Sequence, residues 1–141
     1  MRTTFRNIGI LLLIYLSTSC MSQVKEMTNT TWVFDFEGCQ DYIKTKENCQ
    51  YEFYSCESGD TVFGEYSFEK DTLVLTQLKG EYDESFDESS RHRMPLVKFK
   101  LVLDQDKLRF IERWELNPLG EWYKSSFDFP PDYEFRREKN K

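Results

Sequence analysis

A chain of 141 residues, 39% hydrophobic and 31% charged, has room for one core of ordinary size and is too apolar to stay disordered. Its formal net charge is −6, and its basic residues gather only into short runs such as Arg91-His92-Arg93 and Arg136-Arg137 that have acidic neighbours; this excludes a nucleic-acid binder, which needs clustered cations against phosphate. Alanine is absent and aromatic residues reach 16%, a composition that favours strands over helices.

The first twenty residues, MRTTFRNIGILLLIYLSTSC, set Arg2 and Arg6 ahead of an apolar stretch from Ile8 to Leu16, followed by the small residues Ser17, Thr18 and Ser19. This is the layout of a secretory signal, and it is shorter than the roughly 20 apolar residues that a membrane span requires. Small residues directly before Cys20 resemble the lipobox of bacterial lipoproteins, although the aliphatic residue usual three places before the cysteine is replaced by Ser17, with Leu16 one further out. The resemblance implies that Cys20 receives a diacylglyceryl group, that the chain is cut just before it, and that acyl chains anchor the mature protein to the membrane. With Met21 and Ser22 after the cysteine rather than Asp, the expected address is the bacterial cell envelope, at the outer membrane. A plain secretory signal and an uncleaved anchor are the other two readings. Residues 21–30, MSQVKEMTNT, read as a polar tether, and 31–141 as the folded domain.

Alternation begins at Thr31–Phe36, with Trp32, Phe34 and Phe36 on one face, the mark of a half-buried strand. Cys39–Asn48 reads as a polar connection with room for one helical turn. Gln50–Cys56 is a second strand. Thr61–Phe68 and Thr72–Gln77 form a hairpin across the polar turn Glu69-Lys70-Asp71. Beyond the long polar stretch 79–94, Leu96–Leu103 places Val97, Phe99, Leu101 and Leu103 on one face. Lys107–Leu116 follows with Leu108, Phe110 and Trp114 in phase. Glu121–Phe127 and Tyr133–Arg137 complete a set of about eight short strands with turn signals roughly every 8–12 residues. This spacing predicts an all-β fold: an antiparallel meander, closed as a barrel or folded as a sandwich.

Export implies an oxidising compartment. Setting Cys20 aside leaves Cys39, Cys49 and Cys56, so at most one intramolecular pair forms. Cys49 and Cys56 flank an extended run and would stand about 23 Å apart along a strand. Cys39 and Cys49 flank the connection between the first two strands, so the expected disulfide is Cys39–Cys49 with Cys56 free; three reduced cysteines are the alternative. These spacings and a single histidine match no zinc pattern. No metal and no cofactor are expected.

Thr31-Trp32, then Gly64-Glu65-Tyr66-Ser67-Phe68, then Lys70-Asp71-Thr72-Leu73-Val74-Leu75, and later Lys107-Leu108-Arg109-Phe110 together resemble the lipocalin-like domains of small bacterial lipoproteins. There a Trp opens the first strand and a G-x-Y…D-T-L-x-L hairpin follows. The likeness runs over Thr31–Glu138, with Thr30 where a Gly is usual two residues before the Trp. It implies a small up-and-down β-barrel that binds a small apolar ligand inside. The residues expected to line that interior are Trp32, Phe34, Tyr66, Leu75, Phe99 and Phe110.

Other candidates have plainer readings. The loop Glu81–Glu88 carries five carboxylates in eight residues but lacks the EF-hand pattern. It reads as a solvated loop, with Tyr82 and Phe86 as loop or partner contacts. His92 lies between two arginines, where exposure rather than catalysis is expected. Trp114, Trp122 and Tyr123 lie around the Pro118–Gly120 turn and read first as core packing. The expected function is non-enzymatic binding of a small apolar molecule. The alternative is a protein-binding module, such as an inhibitor, an immunity protein or an envelope-complex subunit, that uses the acidic surface and the 79–94 loop.

Overall fold

Period-two alternation becomes nine antiparallel strands in the computed structural model, which describes residues 23–81 and 95–139. In chain order they are β1 (Thr31–Phe36), β2 (Cys39–Thr45), β3 (Gln50–Tyr54), β4 (Thr61–Glu69), β5 (Thr72–Glu81), β6 (Val97–Asp104), β7 (Lys107–Leu116), β8 (Trp122–Lys124) and β9 (Glu134–Arg137). Strands β1 to β7 form a meander, each paired with the next. β9 pairs with both β7 and β1 and closes the ring. The result is a closed eight-stranded antiparallel barrel; β8 is an extra strand on the outer half of β7.

The expected fold class is thus found, with one exchange among its members. The segment Cys39–Thr45, expected as a polar connection, is a full barrel strand, while the expected strand at Glu121–Phe127 shrinks to three residues outside the ring. The β2 segment CQDYIKT buries Ile43 and Thr45, and its polar residues ride on the solvent face. Polarity misled because an antiparallel barrel needs only one apolar face per strand.

Two bulges change the phase of the walls. On β5, Gln77 pairs with Gly64 and Lys79 with Phe63, so Leu78 has no opposite number and projects outward. On β7, Phe110 pairs with Leu101 and Glu112 with Lys100, which leaves Ile111 as the extra residue, again exposed. A bulge inserts one residue and reverses which side chains face inward beyond it. Leu108 and Phe110 therefore face the core, but beyond Ile111 it is Arg113 and Glu115 that turn inward. Trp114, expected in phase with Phe110, lies on the outer face, 5.6 Å from the Lys100 ammonium.

Eight strands enclose a space that side chains just fill. Trp32, Ile43, Tyr51, Leu73, Leu75, Leu101, Leu108 and Phe135 are sealed within it. Close packing dictates Gly64: a Cβ there would come within 1.9 Å of the Thr76 carbonyl oxygen and 2.8 Å of the Tyr51 ring. Among the described residues, every member of the core cluster and every residue packed on it lies between Val24 and Phe135.

One end of the barrel is sealed by residues expected to be tether. Residues 23–27 are helical, and Met27 is completely buried in the core. The Thr30 hydroxyl donates to the Met27 carbonyl oxygen at 2.8 Å and accepts from Trp32 Nε1 at 2.9 Å. Thr45 Oγ1 also donates to the Met27 carbonyl oxygen. Arg137, at the end of β9, lays its guanidinium 4.7 Å over the Trp32 ring and binds the Glu26 carbonyl oxygen. The polar composition of 21–30 hid one apolar anchor, Met27, and the threonines that hold it. Cys20 and the rest of residues 1–20, along with Tyr82, Phe86, His92 and most of the acidic loop, lie outside the described residues.

Candidate functional site

The disulfide joins Cys39 to Cys56, and Cys49 is the free thiol. This corrects the expected Cys39–Cys49 pair. Antiparallel pairing of β2 with β3 sets Tyr42 opposite Tyr54 and Thr45 opposite Tyr51, so continuing the ladder brings Cys39 beside Cys56. Cys49 lies at the other end of that hairpin, next to the turn. The sequence expectation failed because it treated β2 as a loop.

The disulfide belongs to the barrel end opposite Met27, where other polar ties gather. Asp41 accepts the Cys56 backbone N–H at 2.7 Å and the Tyr133 hydroxyl at 2.8 Å. Burial, and then the charge and hydrogen bond of Asp41, push the Tyr133 phenol far above its ordinary value of 10.0, so the hydroxyl remains a donor. In the turn after β3, the Ser55 N–H binds the Asp60 carbonyl oxygen and the Gly59 N–H binds that of Ser55. Gln77 is buried and its Oε1 accepts the Val97 N–H at 3.0 Å, a bond that spans the wall where β5 and β6 part.

Within this frame lies a cup of about 430 Å³. Phe53, Val62, Val97 and Phe99 supply its apolar walls, Arg113, Glu115 and Asp60 its charges, and Ser55 and Ser58 part of its rim. The volume falls in the range of small-molecule sites. Arg113 Nε is 3.2 Å from Glu115 Oε1, yet it makes no hydrogen bond and is closed off from solvent. The Phe127 ring lies 5.7 Å from the guanidinium carbon.

Of the six residues expected to line a ligand cavity, the structure brings only Phe99 to the cup. Trp32, Tyr66 and Leu75 are packed deep in the core. Phe110 contacts Phe99 at 5.2 Å and Phe129 at 4.9 Å between ring centroids. Phe34 meets Tyr133 at 4.7 Å. These rings fill the barrel with one another. Sequence reading missed Arg113, Glu115 and Gln77 as site residues. The signal for the first two was the adjacent apolar pair Phe110-Ile111, which breaks alternation where the bulge occurs.

Among the described residues, no three His, Cys, Asp or Glu side chains converge as metal ligands, and no helix is long and apolar enough to cross a membrane. No protein-family model, curated protein or solved structure matches the chain.

Proposed function

We propose that this is an exported, lipid-anchored, lipocalin-like binding protein of the bacterial cell envelope, which holds a small, largely apolar molecule without transforming it. The binding place is the cup at the open end rather than the barrel interior. The observation that carries this reading is the mixed lining of that cup: apolar walls with the Arg113–Glu115 pair and the Asp60 carboxylate, the composition of a site that takes an apolar body and orients it with polar groups. The anchor rests on the sequence around Cys20 and the outer-membrane address on the residues after it. The partners of the protein are thus the membrane, through its acyl chains, and the small molecule.

Native mass spectrometry of residues 21–141, exported and purified without detergent, tests the binding role. A reproducible added mass that leaves on organic extraction supports it. A clean unliganded mass, with no uptake from a lipid extract of the host envelope, sinks it. A second reading, a docking module for an envelope protein, is favoured by the apolar side chains left exposed: Phe36 at 60%, Leu119 at 84% and Phe127 at 49%. Cross-linking in intact cells that captures one protein at Phe36 or Leu119 would support that alternative.

A further inference from the structure

We infer that the protein stands on its membrane by the Met27 end of the barrel, with the cup opening away from the anchoring lipid; this rests on the acylation of Cys20. Val24 packs against the core and Met27 is completely buried in it. Arg137, at the end of β9, binds both the carbonyl oxygen and the carboxylate of Glu26. The helical residues 23–27 are therefore fixed to the barrel. Gln23 follows Cys20 by three residues, and three fully extended residues reach roughly 11 Å. Whatever path that link takes, it holds the acyl chains close to this end. Strand β7, with 10 residues, runs from here to the cup. Tilted by about 40°, as barrel strands are, it sets the two ends about 25 Å apart.

Charge favours the same orientation. The turns around the cup, residues 37–38, 55–60, 117–121 and 125–133, carry Glu37, Glu57, Asp60, Glu121, Asp128 and Asp132 and no lysine or arginine. The connection 82–94, which leaves and returns at this end, adds four carboxylates against two arginines. At the Met27 end, residues 23–30, 46–49, 70–71, 105–106 and 138–139 carry four lysines against five carboxylates. An anionic lipid surface repels carboxylates within a Debye length of about 8 Å. It therefore pushes the cup end away and tolerates the other. Lys98 and Lys124 belong to the side wall, where Lys98 covers the Trp122 ring and Lys124 binds Glu112. In this orientation an occupant of the cup arrives through water or from a protein facing the membrane, and does not slide in from the anchoring bilayer.

Lipid-borne fluorescence quenching tests this on the exported protein, purified whole from the envelope. The protein is reconstituted into phosphatidylethanolamine–phosphatidylglycerol vesicles that carry nitroxide headgroups. One fluorophore is attached through Asp106→Cys at the Met27 end or through Leu119→Cys at the cup end, both exposed turn positions. Each variant also carries Cys49→Ser, which removes the native free thiol. Near-ultraviolet circular dichroism verifies the fold, and mass spectrometry of the N-terminal peptide reads the acyl groups on Cys20. Most of the fluorescence at position 106 should be lost, and little at position 119. An acylated protein quenched equally at both positions lies on its side and overturns the orientation alone, as does stronger quenching at position 119. A Cys20 without acyl groups overturns the anchor, and the orientation with it.

Discussion

The two ends of this barrel are closed by different chemistry. At one end Met27 and Trp32 are wholly buried, and threonine hydroxyls satisfy the backbone around them. Apolar side chains fill that end among the described residues. At the other end the cohesion comes from a disulfide, the Asp41 carboxylate and the Gln77 amide. Point-to-point ties hold walls in position without filling the space between them, whereas hydrophobic burial is favourable only where that space disappears. A cup therefore survives where polar and covalent links do the holding.

The largest expected effect strikes the filled end. Trp32→Ala should cost about 4 kcal/mol in urea unfolding, through the cavity and the stranded Arg137. A loss below about 1 kcal/mol would mean that this end is not tightly packed. Next comes the tied end. The double variant Cys39→Ser, Cys56→Ser opens a link spanning 17 residues and should cost about 3 kcal/mol. Peptide mapping under non-reducing conditions should recover Cys39 joined to Cys56, and recovery of a Cys39–Cys49 peptide would contradict the register of β2 on β3.

A smaller effect has the opposite sign. The Tyr51 hydroxyl is buried without a hydrogen-bond partner, and burial drives its phenol well above the ordinary value of 10.0. Tyr51→Phe removes that hydroxyl and keeps the ring on Gly64, so stability should rise by about 1 kcal/mol. A loss of that size would show that the hydroxyl has a partner in solution.

The smallest effect concerns pH. Burial alone would raise the Glu52 carboxyl, but hydrogen bonds from Lys46 and Tyr42 and the charges of Lys46 and Lys44 outweigh it and hold the group below its ordinary value of 4.5. A folded-state value below the unfolded one adds stability that is present above pH 4.5 and lost as pH falls through the lowered value. Solvent screens a pair whose lysine is half exposed, so the gain is under about 1 kcal/mol. Glu52→Gln should flatten the stability profile below pH 4.5 and change little at the open end. An unchanged acid limb would mean that the pair contributes nothing.

Much of the wall is legible in the sequence. Strands β1, β3, β4, β5, β6, β7 and β9 coincide with expected runs, because alternation directly reports a face turned to the core. β2 was hidden because its inward residues, Ile43 and Thr45, are separated by a lysine and preceded by polar side chains. The sealing segment at Met27 was hidden because one buried methionine and a partly buried Val24 among mostly polar residues leave no pattern. Of the expected cavity lining only Phe99 reaches the cup, since inward phase marks a residue as core or site without distinguishing the two.

Composition, alternation and turn residues were enough to determine an antiparallel β-barrel with an aromatic interior, because those properties are local and repeat every two residues. The Cys39–Cys56 pairing, the inward turn of Arg113 and Glu115, and where the cup lies were decided only by tertiary structure. Each depends on register, and register is set by what stands opposite: a partner strand for Cys56, and for Arg113 a bulge that only pairing with β6 makes visible.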